Sequence, residues 1–284
     1  MRLAGAVSQG SGSISEDGFG VIERDGRVSA AWVFDGVTGI NERNILPGSD
    51  AAWLVARAQD HLLDLASGDQ SVLAILDQLV KALIADWSKA TAGLAIPEGY
   101  DPPAACLILA KRYGDGWKAL RLGDSCLLAQ HGANDPHVTA ASPNNAFDNW
   151  LSREARKRRE AGVLDIKALL AEFRPQLIAG RAKRNTPKGY SILEADAAAL
   201  AMPEVIDLGR PSALLLCTDG FYRAVDHYGL HDDASLLAAC GQKHGVDDVL
   251  AALRAVEAGD PSCETYLRFK PADDATAVML LGDE

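Results

Sequence analysis

Four acidic points in the sequence lie at the ends of apolar runs that have the length of β-strands. They are Glu16-Asp17 before residues 18–24, Asp35 after 31–34, Asp219 after 213–217, and Asp273-Asp274 before 275–281. Short apolar runs bounded by turn residues are typical of buried strands, so the acids are expected at strand ends. Taken singly, an Asp-Gly pair after a strand is typical of a simple turn. Its recurrence with other strand-end acids predicts one cluster of carboxylates.

The chemistry open to such a cluster is the binding of hard cations. Crowded carboxylates repel one another, and a buried group of them is stable only if its members protonate or hold cations. Oxygen ligands in this number favour Mg²⁺ or Mn²⁺ over Zn²⁺, which prefers His and Cys. Gly36 leaves its own carbonyl uncovered next to Asp35, so a backbone oxygen and a carboxylate can face the same ion.

Five short motifs follow one another along nearly the whole chain. They are Ser15-Glu16-Asp17-Gly18-Phe19-Gly20, Val33-Phe34-Asp35-Gly36, Arg121-Leu122-Gly123-Asp124-Ser125, Cys217-Thr218-Asp219-Gly220-Phe221-Tyr222 and Asp273-Asp274-Ala275-Thr276-Ala277-Val278. In sequence and spacing they resemble the metal-dependent (PPM, type 2C) serine/threonine protein phosphatases, from about residue 5 to residue 281. The resemblance implies an α+β fold. Its form would be a four-layer αββα sandwich of two antiparallel sheets flanked by helices, with two divalent ions at one end.

The resemblance also implies catalytic and metal-binding roles for particular residues. Asp35 would bridge the two ions, the Gly36 carbonyl would complete one of them, and Asp219 and Asp273 would complete the other. Asp273 is preferred to its neighbour because the family motif places its ligand three residues before the Thr that matches Thr276.

Three further acids have supporting or open roles in this interpretation. Glu16 and Asp17 would orient metal-bound waters rather than bind the ions directly. Asp124 lies in a Gly-Asp-Ser hairpin, where a turn residue is favoured over a direct ligand.

Two departures from the family pattern concern the substrate and a third ion. The family has an Arg four residues before the acid that matches Glu16, but Gly12 stands there in this chain. Loss of a bidentate cation removes a contact of roughly 1.5 to 3 kcal/mol. The Asp-His pair that supplies a third metal site is also missing, although His137 lies near its expected place. The other histidines are predicted to be structural.

A helical insert at about 143–200 is predicted to replace the mobile flap of the family within a single phosphatase-like domain, 1–284. Its basic loop, 181–190, is a candidate for binding the substrate phosphate, and a solvated loop is an equal alternative. Arg184 is preferred as the phosphate contact because it starts a constrained Asn-Thr-Pro turn, with Arg181 and Lys183 as the other candidates.

The predicted reaction is hydrolysis of phosphoserine and phosphothreonine in proteins by a metal-bridging water, with two Mg²⁺ or Mn²⁺ ions and possible room for a third. No protein nucleophile is required, and the sequence has no Walker loop, nucleophile elbow or Cys-x5-Arg loop. Two alternatives stay open. One is a phosphatase of small phosphomonoesters or nucleotides, and the other is a non-catalytic regulatory module of the same fold.

Alternating and helical periodicities indicate the elements that must position these residues. Strands are predicted at 3–8, 18–24, 28–34, 104–111, 116–122, 125–130, 191–193, 205–208, 213–217 and 275–281. Helices are predicted from 49–50 onward and at 71–90, 147–161, 165–181, 221–225, 233–243 and 246–258.

Composition limits the partners, the location and the cysteine chemistry that can be expected of the protein. The chain has 284 residues, 48% of them hydrophobic, and a net charge of -11, which argues against nucleic acid or an anionic membrane as an obligate partner. No apolar run has the length of a signal peptide or a membrane span, so a cytoplasmic protein is expected. Five cysteines without a CxxC pair are predicted to be free buried thiols. The expected partner is a phosphoprotein substrate, and no oligomeric state is predicted.

Overall fold

Strands in the described residues form two antiparallel sheets. The structure, a computed structural model, describes residues 1–41, 43–132, 138–141, 146–162 and 166–282. The first sheet has the order β1 (Arg2–Gln9), β11 (Ala275–Leu281), β10 (Ala213–Cys217), β6 (Cys126–Gln130) and β7 (Val138–Ala141). The second sheet has the order β2 (Gly18–Arg24), β3 (Arg27–Gly36), β4 (Ala104–Tyr113), β5 (Gly116–Leu122) and β9 (Glu204–Gly209), with β8 (Leu193–Glu194) paired to β4.

Helices cover the outer face of each sheet. They are α1 (Asp50–Leu65) and α2 (Val72–Ala90) on the second sheet, and α5 (Asp219–Asp226), α6 (Asp233–Cys240) and α7 (Gly245–Gly259) on the first. Two more, α3 (Ala146–Glu160) and α4 (Ile166–Arg181), follow β7. Ser49 and Ser71 begin α1 and α2 as N-caps, accepting hydrogen bonds from backbone N–H groups three residues on, at 3.4 and 3.2 Å.

Alternation along the strands divides the apolar side chains among three layers. On β3, Trp32 and Phe34 face α1 and α2, whereas Val33 faces the other sheet. On β10, Leu214 and Leu216 face the second sheet, and Leu215 faces the helices α5 to α7. Each large apolar side chain buried in this way contributes about 1.5 to 3 kcal/mol. The four-layer αββα sandwich predicted from the sequence is confirmed.

Most predicted elements coincide with observed ones within a few residues. The sequence prediction missed β7, which pairs with β6, and the short 3-10 helix Ala197–Leu200. The strand predicted at 191–193 is instead the two-residue β8. All five cysteines are free and buried, as predicted. Within the described ranges, no helix has both the length and the apolar character needed to cross a membrane. A single domain with an insert in place of a flap stays a prediction.

Candidate functional site

The strand ends that carry the predicted ligands meet at one edge of the sandwich. The Gly36 N–H at the end of β3 donates to the Glu16 carbonyl, 3.1 Å away, just before β2 begins. Across the first sheet, the Thr218 N–H after β10 donates to the Thr276 carbonyl on β11, at 2.9 Å. The Glu16 N–H also donates to Asp274, 2.7 Å away, and joins the two sheets, so the acids that follow or precede these strands share a single edge.

Two glycines allow the acidic loops to approach one another closely. A Cβ atom added to Gly220 would lie 1.9 Å from the Asp274 carbonyl and 3.0 Å from the Asp273 Cβ. A Cβ added to Gly36 would lie 2.5 Å from the Glu16 carbonyl. Side chains are excluded at both positions, so the Asp-Gly pairs are needed for close backbone packing as well as for turning.

Asp35 lies at the centre of the negative charge at this edge. Burial raises the pKa of Asp35 well above its usual range, and the carboxylates of Asp219, Asp17, Asp124 and Asp273 raise it further. The ionised form of Asp35 is disfavoured because burial and neighbouring like charges act in the same direction. The predicted ligands are thus brought close enough to act on one another.

Asp17 lies against two threonines of the first sheet, Thr218 and Thr276. The Thr218 hydroxyl donates to an Asp17 carboxylate oxygen at 3.0 Å. Burial raises the pKa of Asp17 to about 8, with Asp274 and Asp219 adding to the rise and hydroxyl hydrogen bonds from Thr276 and Thr218 opposing it. The ionised form of Asp17 is therefore disfavoured beside Asp35, as expected for crowded carboxyl groups without a cation.

The carboxylates of Glu16 and Asp274 accept hydrogen bonds from the loops that surround the site. The Glu16 carboxylate accepts hydrogen bonds from the Thr38 hydroxyl, at 2.7 Å, and from the Ser49 hydroxyl. Asp274 accepts from the Ser11 N–H and hydroxyl, at 2.6 and 2.8 Å, and from the Glu16 N–H at 2.7 Å. Both oxygens of Asp274 are therefore used to hold the loops that surround the site.

The Gly-Asp-Ser hairpin also reaches the site. Cys106 on β4 lies opposite Asp35 on β3 in the register of the sheet. Its thiol donates to a carboxylate oxygen of Asp124 at 2.9 Å. Burial raises the pKa of Cys106 well above its usual range, and the charges of Asp124 and Asp35 add to the rise. Asp124 is therefore more than a turn residue, because its charge contributes to the acidic edge.

Asp273 already has two cationic partners. Its carboxylate accepts from the Arg223 guanidinium at 2.5 Å and forms an ion pair with the Lys270 ammonium. Neither cation was anticipated from the sequence, since no motif marks it and the partners are brought together by α5 and the loop before β11. Within the described residues, no three His, Cys, Asp or Glu side chains form a ready metal cage.

The donor set nevertheless fits divalent cations. Among the described residues, neither Asp35 nor Asp219 forms an ion pair, although Arg223 and Lys270 lie close enough to Asp219 for their charges to act on it. The ionised forms of Asp35 and Asp17 are disfavoured by burial and by neighbouring like charges. Buried like charges of this kind are relieved by a hard cation with oxygen ligands. The pairing of Asp273 with two cations opposes metal binding at that acid.

The basic loop lies beside the site but uses its arginines internally. Arg184 is buried, and its guanidinium donates to Asp101 and Glu194, each at 3.0 Å. Arg181 donates to Asp101 at 2.7 Å and to the Thr38 carbonyl at 2.6 Å, while Lys183 is exposed. The structure does not support Arg184 as a phosphate contact, because both its partners and its burial hold it inside the fold.

Helices α3 and α4 bridge two loops that flank the acids. Arg174 on α4 donates to the Ile40 carbonyl at 2.8 Å, in the loop that follows Asp35. Arg159 on α3 donates to the carbonyls of Cys263 and Ser262, in the segment that leads to Asp273. The basic residues of this insert are thus partly used as structural links between the walls of the site.

Two of the histidines predicted to be structural have close contacts within the fold. His61 Nε2 lies 2.8 Å from an Asp86 carboxylate oxygen on the neighbouring helix. Burial lowers the pKa of His227 to about 4, with Arg223 and Arg268 adding to the fall. His137, which is near the expected place of the Asp-His pair, lies outside the described residues.

Comparison with known proteins decides the family. The family model described as protein phosphatase 2C matches residues 4–254. The chain belongs to the protein phosphatase 2C family. This membership confirms the resemblance, the enzyme class and a metal-dependent protein phosphatase function, whereas the particular ligands are a separate question. No curated protein sequence gives a match.

Solved structures similar to this protein phosphatase 2C chain are bacterial phosphatases. The Mycobacterium tuberculosis serine/threonine phosphatase PstP/Ppp has 17% identity and a TM-score of 0.57, with 98% of each chain covered. PstP in complex with two manganese ions has 15% identity and a TM-score of 0.55, with 98% of this chain and 97% of that chain covered. Staphylococcus aureus Stp1 has 10% identity and a TM-score of 0.56, with 100% of this chain and 98% of that chain covered. At such identities the likeness establishes the shared fold.

Proposed function

We propose that this phosphatase holds two divalent cations with Asp35, the Gly36 carbonyl, Asp219 and Asp273 and hydrolyses phosphoserine and phosphothreonine in proteins. The observation that carries the proposal is the convergence of Asp35, Asp17, Asp219 and Asp273 at one edge of the sandwich, close enough for their charges to act on one another. Two Mg²⁺ or Mn²⁺ ions bound there would activate a water and neutralise charge on the transferred phosphoryl group. PstP, which has the same fold, was crystallised with two manganese ions.

Other residues of the chain hold these acids in place. Asp274 fixes the loop that contains Ser11 to the start of β11, and Glu16 joins the Thr38 loop to the N-terminus of α1. Thr218 holds Asp17 against the first sheet. Supporting hydrogen bonds of this kind restrict the carboxylates to one arrangement, which is what a metal site needs from its surroundings.

A small phosphomonoester is the second candidate substrate. It is favoured by the absence of an arginine at Gly12 and by the internal use of Arg184, since both remove a contact expected for a phosphopeptide. The two substrate classes share the acidic site and differ in what the surrounding loops must bind.

The first test is phosphate release in the presence of Mn²⁺ or Mg²⁺. We expect hydrolysis of p-nitrophenyl phosphate that is lost on adding EDTA, and higher kcat/KM for phosphoserine or phosphothreonine peptides than for free phosphomonoesters. Equal rates with and without EDTA would contradict the metal-dependent mechanism. Faster hydrolysis of small phosphomonoesters than of every peptide would instead favour the second candidate substrate.

Metal binding should also stabilise the fold. A cation that binds only the folded state at about 100 times its Kd raises the free energy of unfolding by about 2.7 kcal/mol. For a chain of this size that corresponds to a rise in Tm of roughly 5 to 10 °C. Thermal melts with excess Mg²⁺ and with EDTA measure the difference. A Tm that responds to neither reagent would show that these acids do not form a cation site.

A further inference from the structure

Lys270 is placed between the predicted metal ligands and solvent. Its ammonium pairs with Asp273, while 44% of its side chain is exposed. The backbone beneath it is held by Arg268, which is buried and donates to Asp260 at 2.6 Å. Asp260 also accepts the N–H groups of residues 264–266, at 2.8 to 3.1 Å. A fixed backbone therefore carries a flexible cation at the edge of the acidic site.

Arg223, the second partner of Asp273, is held more firmly. Only 19% of its side chain is exposed, and one of its terminal nitrogens is buried without a hydrogen-bond partner. Burial lowers the pKa of Arg223, but the charges of Asp273 and Asp219 outweigh that effect and the net direction is upward. Moving this guanidinium away from Asp273 would leave a charge buried without compensation, which is costly.

The two cations differ in their freedom to leave Asp273. Both oxygens of Asp273 are engaged, one by Arg223 and the other by Lys270. A divalent cation bound by Asp273 would lie beside these two side-chain cations, and repulsion between like charges would favour the release of one of them. Lysine has a compact ammonium on a four-carbon stem that water solvates readily, so Lys270 is the partner that moves.

Three arginines around the site have other partners. Arg181 pairs with Asp101 and the Thr38 carbonyl, and Arg174 bonds the Ile40 carbonyl. Arg121 pairs with Glu204. Gly12 occupies the place where a phosphate-binding arginine is expected. A phosphomonoester dianion bound beside the acids still requires charge-assisted hydrogen bonds to its free oxygens.

We propose that Lys270 exchanges partners, binding Asp273 when the cation site is empty and the substrate phosphate when Asp273 serves as a metal ligand. The proposal rests on the proposed function of Asp273. Lys270 is then a substrate-binding residue that takes the role of the absent N-terminal arginine. It also competes with the cation for Asp273, so removing it should affect metal and substrate binding in opposite directions.

The test is Lys270→Met, with Lys81→Met as the matched control. Lys81 also pairs with an aspartate, Asp77, at 2.7 Å, but on the exposed surface of α2. Titration calorimetry of the metal-free proteins with Mn²⁺ should show that the ion with the lower affinity binds about tenfold more tightly to Lys270→Met than to the wild type. The reason is that this ion no longer competes with the Lys270 ammonium for Asp273. The KM for a phosphopeptide should rise by about tenfold or more, with a smaller change in kcat. Lys81→Met should match the wild type in both measurements.

Opposite changes in metal affinity and KM distinguish partner exchange from a structural role, which would weaken both. Lys270→Arg, which keeps the charge, should restore most of the substrate affinity. An unchanged KM, or weaker Mn²⁺ binding, in a folded Lys270→Met protein would overturn the proposal while leaving the proposed function intact. Wild-type protein that neither binds Mn²⁺ nor releases phosphate would overturn the proposed function itself, and the exchange with it.

Discussion

Replacing Asp35 with Asn should abolish phosphatase activity while the protein stays folded. Asp35 lies at the end of β3, where its charge adds to those of Asp219, Asp17 and Asp273. The amide keeps the shape of the side chain but removes the charge that a divalent cation requires from this ligand. Loss of several kcal/mol of transition-state stabilisation corresponds to a fall in kcat/KM on the order of 10³-fold or more.

The same substitution should not destabilise the metal-free protein. Burial and neighbouring carboxylates raise the pKa of Asp35, which means that its charged form is disfavoured in the folded protein. Asn at this position carries no charge, so in EDTA the Asp35→Asn protein should melt at the wild-type temperature or above it. Addition of Mg²⁺ or Mn²⁺ should then raise Tm less than in the wild type.

Calorimetry with Mn²⁺ measures the metal affinity of the variant, and thermal melts measure its stability. Asp77→Asn, which changes an exposed aspartate on α2, is the matched control and should keep activity, metal binding and Tm. Full binding of two Mn²⁺ ions by Asp35→Asn would contradict the assignment of Asp35 as a shared ligand. Unfolding of the variant in EDTA would show instead that the carboxylate has a structural role.

The strands and the acids at their ends could be predicted because both depend on local patterns, whereas the four-layer sandwich was implied by the family resemblance. Period-two alternation on β3 and β10 separates the side chains that face helices from those that face the other sheet. The Asp-Gly pairs at their ends follow from the need to turn where backbones pack closely, as the crowding at Gly36 and Gly220 shows. Local sequence thus indicates the strands, their ends and the acids that they carry.

The partners of the cations could not be predicted, because they depend on contacts between distant segments. Arg184 bonds to Asp101, 83 residues earlier in the chain, and Arg223 bonds to Asp273, 50 residues later. Nothing in a basic loop sequence distinguishes a cation that faces a substrate from one that neutralises buried acids. The choice is made by tertiary packing, which also explains why Lys270 was not singled out.

Replacing Arg184 with Met should lower the free energy of unfolding by roughly 3 kcal/mol, the cost of leaving buried charge without its partner. Only 5% of the Arg184 side chain is exposed, and its partners Asp101 and Glu194 are 17% and 14% exposed. Burial raises the pKa of Glu194, although Arg184 and Asn185 oppose the rise. Without the guanidinium, that carboxylate and Asp101 lose their common cation.

Chemical denaturation of Arg184→Met, with Lys183→Met as the control from the same loop, tests this role. Lys183 is exposed, so its replacement should change the free energy of unfolding by less than about 0.5 kcal/mol. The double variant Arg184→Met with Glu194→Gln should recover part of the loss, because one of the unpaired charges is then removed. If Arg184→Met instead keeps wild-type stability and raises KM for a phosphopeptide tenfold, Arg184 binds the substrate, as its position in a basic loop suggests. Loss of stability with an unchanged KM in the folded fraction would establish Arg184 as the ion-paired anchor that holds the basic loop beside the acidic edge.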